Sequence, residues 1–266
     1  MVYSFFFKKT FYIFSPNEKV IMKKLIKKLL KKVGYDILKI KKEFSFDDII
    51  KINLDNNPII FDVGANEGQS IKRFKNVFKN SIIHSFEPNF NAFKLLKKNY
   101  SNLDSVFLNN SAVGDKIEKK PFYETTKTTH SSFHKLNEKS EWIKIRSKEL
   151  QTSIKNYTTN IREVEITTLD NYCKINKIDF IDLLKIDTQG YEEQVLAGCK
   201  YMIKNKLINL IETEIMLDDV YHNNTAIYDL EKYLNGSYRL IGIKPKLFNN
   251  IYEGYLFSLD LIYKKL

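Results

Sequence analysis

Cysteine, tryptophan, proline and glycine are all scarce in this chain, at 2, 1, 5 and 9 of 266 residues. The two cysteines, Cys173 and Cys199, form neither a disulfide framework nor a pair at metal-site spacing, so a reducing, cytoplasmic setting is expected. The phosphate-binding glycine signatures are missing too. No G-x-G-x-x-G and no Gly-Lys-Ser/Thr occurs, which counts against a P-loop nucleotidase and an NAD-linked dehydrogenase. No apolar run approaches the roughly 18 residues of a membrane-spanning helix, and there are no internal repeats or low-complexity linkers. What is present is 43% hydrophobic and 14% aromatic, enough for the sizeable core of one α/β domain with an extension.

The net charge of +11 is unevenly placed. Residues 1–42 hold 12 lysines against Glu18 and Asp36, which leaves a net of only +1 for the other 224 residues. A domain that tracks a phosphate backbone carries its own basic face, so nucleic acid is not expected as a partner. The basic segment at 22–42 is patterned. Met22, Leu25, Ile26, Leu29, Leu30 and Val33 recur at helical spacing, with lysines on the opposite face, so 22–33 reads as an amphipathic helix ended by Gly34. Such a helix either packs its apolar stripe on the domain, docks on a partner, or lies on an anionic membrane surface at the inner face. Residues 1–21 are aromatic but broken by Lys8 and Lys9. They read as an over-extended start before Met22 or as a short aromatic anchor.

The domain proper is expected over 43–266. An apolar run at 59–63 breaks into the Gly-bracketed turn Gly64-Ala65-Asn66-Glu67-Gly68, and a helix follows at 70–78. The carboxyl end of such a strand is where open α/β sheets hold ligands, and the two glycines permit close backbone approach. Asp62 and Glu67 make the turn acidic, which suits a cationic or neutral ligand better than a pyrophosphate. A second strand at 81–86 ends in Glu87-Pro88-Asn89. Its acid lies 23 residues beyond Gly64, near the spacing at which a carboxylate takes ribose hydroxyls in nucleoside-binding folds. Further strands are expected at 106–113, 180–186 and 207–211, helices at 91–100, 170–177, 191–204 and 228–234, and a hairpin from 238–243 and 255–262. A polar stretch at 118–164 interrupts this alternation and reads as an insertion or lid.

Four ordered stretches, Phe61 to Gly68, Ser85 to Asn89, Thr168-Leu169-Asp170 and Leu184 to Glu192, resemble the FkbM-type family of S-adenosylmethionine-dependent methyltransferases. The resemblance implies a Rossmann-like class I methyltransferase fold of the α/β class, mostly parallel with a terminal antiparallel hairpin. It also implies S-adenosylmethionine as cofactor, and the sulfonium cation accounts for an acidic turn. On this reading Asp62, Gly64, Asn66, Glu67, Gly68, Glu87, Pro88 and Asp187 hold the cofactor, with Ser111 and Ala112 near its adenine. Asp187, at the end of the central strand, is the first choice for a group beside the reacting methyl, as a base, a metal ligand or an orienting group. A metal would need Asp187 with Glu214 and Asp218 or Asp219, and no metal is expected. His130, in Thr129-His130-Ser131-Ser132-Phe133, is a second candidate base. Thr188 departs from the family, which more often has Val or a small apolar residue there. The acceptor the family implies is a sugar hydroxyl of a glycan or glycolipid precursor, with a soluble metabolite, or a non-catalytic binding role, as the alternatives.

Overall fold

The computed structural model describes residues 44–247 and 256–266. The expected helix at 22–33 and the aromatic stretch at 1–21 lie outside these residues. Among the described residues, ten strands and nine α-helices follow in chain order: α1 (Phe46–Asn53), β1 (Ile59–Val63), α2 (Gln69–Val77), β2 (Ile82–Phe86), α3 (Phe90–Tyr100), β3 (Val106–Asn109), β4 (Ala112–Val113), β5 (Glu118–Thr125), α4 (Glu141–Glu149), α5 (Ile154–Tyr157), β6 (Thr158–Thr167), α6 (Leu169–Asn176), β7 (Ile181–Ile186), α7 (Glu192–Ala197), α8 (Lys200–Lys204), β8 (Ile208–Met216), α9 (Ile227–Leu234), β9 (Tyr238–Leu247) and β10 (Leu256–Lys265).

Seven strands form the main sheet in the order β3-β2-β1-β7-β8-β10-β9. β10 runs antiparallel to both of its neighbours, while β1, β2, β3, β7 and β8 pair in parallel. The mostly parallel sheet with its terminal antiparallel pair is the arrangement expected from the sequence. The central strands are near-continuous apolar runs because both faces are covered. Ile60, Leu183, Leu210 and Ile262 pack against α1 and α2 on one face; Phe61, Leu184, Ile211 and Tyr263 join Val195, Met202 and Leu230 on the other.

The expected strand at 106–113 is two strands. β3 ends at Asn109, whose side-chain amide donates to Ser85 O at 3.0 Å, and Asn110 donates to Glu87 O at 2.9 Å, so the chain leaves the main sheet. β4 instead joins a second sheet, β4-β6-β5, built mostly from the polar stretch at 118–164. That stretch owes its order to a small core of its own, in which Trp142, Ile143 and Tyr157 pack with Val220 and Tyr221. The expected helix at 191–204 is divided into α7 and α8 at Gly198, where a Cβ would lie 1.9 Å from Gly114 O. Among the described residues, no helix is long and apolar enough to cross a membrane.

Candidate active site

The ends of β1, β2 and β7 converge on a cavity of about 300 Å³. Its backbone frame is tight. Gly64 N and Ala65 N both donate to Phe86 O at 3.0 Å, and Asp187 N donates to Val63 O at 3.0 Å. The glycines make this frame possible. A Cβ on Gly64, at φ +84°, would sit 1.9 Å from Asp187 O, and one on Gly68, at φ +97°, would meet the Tyr100 ring at 2.2 Å. Gly64 lines the cavity; Gly68 does not.

Glu87 stands on the cavity wall beside Pro88 and is only 5% exposed. Its two oxygens accept from Asn66 N at 2.8 Å and Asn89 N at 2.6 Å. Asn89 also caps α3 by accepting from Ala92 N at 3.0 Å, so the helix start and the carboxylate are set by one residue. Burial pushes the Glu87 carboxyl up to about 7, against the two N–H donors that pull it down. Asn66 lines the cavity and its amide reaches Thr128 Oγ1 at 3.1 Å, tying the turn after β1 to the polar stretch.

Asp62 lies beneath the cavity, fully buried, and pairs with Lys185 at 3.1 Å. Burial raises its carboxyl and Lys185 opposes that shift. Lys185, which sequence reasoning missed, lines the cavity, donates to Gly64 O at 3.2 Å and sits 3.5 Å from Asp187 Oδ2. The row continues sideways. Asp62, Lys185 and Glu212 are register partners across β1, β7 and β8, and Glu212 takes Arg73 of α2 at 2.5 Å.

Asp187 is on the cavity wall and is held through Oδ1 by Gln189 Nε2 at 2.9 Å. The turn that presents it is clamped from below. Glu192 Oε1 accepts from Thr188 N at 3.0 Å, Thr188 Oγ1 at 3.1 Å and Gly190 N at 3.1 Å. The departure at Thr188 therefore has a partner for its hydroxyl.

Ala112 is on the wall, whereas Ser111 is half-buried off it and Glu67 is exposed at the rim of its turn. His130 is a correction: it is placed away from the cavity. Its Nδ1 bonds the Tyr157 hydroxyl at 2.7 Å, its ring meets Trp142 edge-on at 4.8 Å, and burial pushes the imidazole down to about 3. Its neighbours Thr128, Thr129, Ser131 and Phe133 line the cavity in its stead. The Ser131-Ser132 pair was the signal available for them. The metal set is not brought together. Glu214 is taken by Lys246 at 3.0 Å and Ser258 at 2.7 Å, Asp219 by Asn137 at 2.8 Å, and among the described residues no three metal-ligating side chains cluster.

The cavity wall is divided by chemistry. Phe86, Ala112, Val113, Phe122, Phe133 and Tyr191 give it an apolar part, suited to a planar base, with the buried Glu87 carboxylate beside them for ribose hydroxyls. Lys185, the cation on the wall among the described residues, is already paired with Asp62 and Asp187 rather than held free for a phosphate. These residues fit an adenosyl group that carries a sulfonium rather than a pyrophosphate.

The family comparison agrees with that fit. The model of the methyltransferase FkbM domain matches residues 62–240, more than half of the chain, and the chain belongs to this family of S-adenosylmethionine-dependent methyltransferases. Among curated proteins it is similar to the 2-O-methyltransferase NoeI of Sinorhizobium fredii (strain NBRC 101917 / NGR234), 27% identical over 191 residues, covering 65% of this chain and 71% of NoeI. Among solved structures it resembles methyltransferase FkbM from Methylobacillus flagellatus KT, at 14% identity and a TM-score of 0.48 over 78% of this chain; the chain spans 44% of the length of that protein. It also resembles a TehB-like SAM-dependent methyltransferase from Corynebacterium glutamicum ATCC 13032 Kitasato, at 9% identity and a TM-score of 0.40, over 95% of this chain and all of that one.

Proposed function

We propose that this protein transfers a methyl group to a hydroxyl oxygen of a sugar in a glycan or glycolipid precursor. The observation that carries the proposal is the polar part of the cavity wall, where Gln69, Ser70, Thr128 and Thr129 surround the cavity together with the Asp187 carboxylate. Side-chain hydroxyls and amides at this density suit an acceptor rich in hydroxyls, and the 2-O-methyltransferase activity of the NoeI relative supports the same chemistry.

Bound S-adenosylmethionine supplies an electrophilic methyl whose C–S electron pair stays with the departing thioether. The protein's part is alignment, exclusion of water and proton removal. Glu87 would take the ribose hydroxyls, and the apolar wall of Phe122, Phe133 and Tyr191 would hold the base. Asp187 would accept the acceptor's hydroxyl proton as the new O–C bond forms. Lys185, paired on both sides, would keep the Asp187 side of the cavity from accumulating uncompensated negative charge.

Calorimetric titration with S-adenosylmethionine, S-adenosylhomocysteine and NADH tests the cofactor, with micromolar binding of the first two only as the expected outcome. Release of S-adenosylhomocysteine with methyl glycosides as acceptors tests the sugar. Turnover on a panel of phenolic metabolites, with none on glycosides, would overturn it.

A further inference from the structure

Gln189 holds a backbone conformation that few residues other than glycine adopt, with φ +58°. A glycine would take this position at no steric cost, so what the position gains from glutamine is its side chain. That side chain has one consistent orientation. The amide nitrogen can only donate, and it meets the acceptor-only Asp187 Oδ1 at 2.9 Å, which by itself fixes the amide and leaves its oxygen 3.4 Å from the Tyr221 hydroxyl. The main chain is fixed as well, since Gln189 O accepts from Ser132 Oγ at 2.7 Å. Tyr221 is itself anchored, its hydroxyl donating to His130 O at 2.8 Å beside the small core it shares with Trp142, Ile143 and Tyr157.

We infer that Gln189 is a positioning residue that sets the plane of the Asp187 carboxylate. The amide occupies Oδ1, Lys185 stands 3.5 Å from Oδ2, and the free lone pairs are left for an acceptor hydroxyl. Ser132 extends this control outward through the Gln189 carbonyl, so the polar stretch after β5 helps to aim the base without touching the reacting atoms. The inference rests on the reading of Asp187 as the acceptor's base.

The variant Gln189→Gly removes the amide while suiting the backbone, so loss of fold is not a confounding result. In the full-length protein, one Gln189 side-chain amide proton is expected to resonate downfield of free glutamine amides and to move to the free position in Asp187→Ala. A Gln189 amide that already coincides with solvent-exposed glutamines would overturn the inference. In turnover with methyl glycosides, Gln189→Gly is expected to lower kcat by about 10- to 100-fold at unchanged acceptor KM, the cost of a misaimed catalytic group. Retained kcat, or a raised KM at unchanged kcat, would also overturn it. S-adenosylmethionine affinity by calorimetry separates the two readings: absence of binding to the wild-type protein overturns methyl transfer and leaves the resonance result to decide Gln189.

Discussion

Lys185 Nζ lies 3.1 Å from Asp62 Oδ1, and the two residues are direct register partners between β1 and β7. The ammonium is 9% exposed and the carboxylate not at all, so neither charge has water to fall back on. Removing one partner leaves the other buried and uncompensated. Lys185→Met is therefore expected to lower unfolding free energy by about 3 to 5 kcal/mol, and the double variant with Asp62→Leu to recover most of it. Denaturant titration of the single and double variants checks this; equal losses in both would mean that the pair contributes nothing as a pair.

Glu87 presents a buried carboxylate beside the apolar part of the wall. Glu87→Ala is expected to weaken S-adenosylmethionine binding by about 1 to 3 kcal/mol through loss of charge-assisted hydrogen bonds to the ribose. Calorimetry with a 2′,3′-dideoxy analogue provides the control, since that ligand should bind both proteins alike. An affinity of the natural cofactor that ignores the substitution would remove Glu87 from the ribose site.

Glu192 is 2% exposed, and burial pushes its carboxyl up to about 7 from an ordinary 4.5, ahead of the N–H donors and the Asp187 charge. A carboxyl raised on folding binds more protons in the folded state. Its stabilising contribution is complete below pH 4.5 and is lost as pH rises to about 7, which amounts to a few kcal/mol. Glu192→Gln keeps the acceptor oxygen for Thr188 and Gly190 but cannot ionise. Its stability is expected to fall less than that of the wild type between pH 5 and pH 8. Parallel slopes in thermal unfolding across that range would refute the assignment.

Gly64 and Gly236 both have positive φ, +84° and +80°, yet their surroundings differ. A Cβ on Gly64 collides with the carbonyl of Asp187, whereas nothing lies within 4 Å of one on Gly236. Gly236→Ala is expected to cost only about 1 to 2 kcal/mol for the left-handed backbone. Gly64→Ala adds overpacking of about 1 to 3 kcal/mol and forces β1 away from β7, so cofactor binding falls with stability.

Asp187→Asn preserves size and the acceptor for Gln189 but removes the proton acceptor. The expected result is a loss of about 100- to 10,000-fold in kcat with cofactor affinity nearly unchanged. A variant that turns over at the wild-type rate would assign Asp187 to orientation alone.

Much of this architecture was legible because parallel strands buried on both faces leave long apolar runs, and β1, β2 and β7 are such runs. Their acidic ends were legible for the same reason, since Glu87 and Asp187 follow those runs directly. What could not be seen depends on register. The row Asp62, Lys185 and Glu212 exists only once three strands are aligned, and a lysine inside an apolar strand gives no sign of the carboxylates on each side. The glycines of the first turn were legible as special backbone, but their neighbours, the Asp187 carbonyl and the Tyr100 ring, come from distant segments. The polar stretch was unreadable because the aromatic residues that order it, Trp142 and Tyr157, are spread thinly and complete their core with Val220 and Tyr221. His130 belongs to that core, which no local pattern announced.

The cavity draws its wall from six separated parts of the chain, around Gly64, Glu87, Ala112, Phe122, Ser131 and Asp187. A ligand that fills it acts as a reversible staple, adding a further link among segments already joined by strand pairing and shared apolar clusters. At a concentration 100-fold above its dissociation constant such a ligand adds about 2.7 kcal/mol to the folded state. Resistance of this protein to proteolysis is therefore expected to rise with the concentration of methyl donor that occupies the cavity.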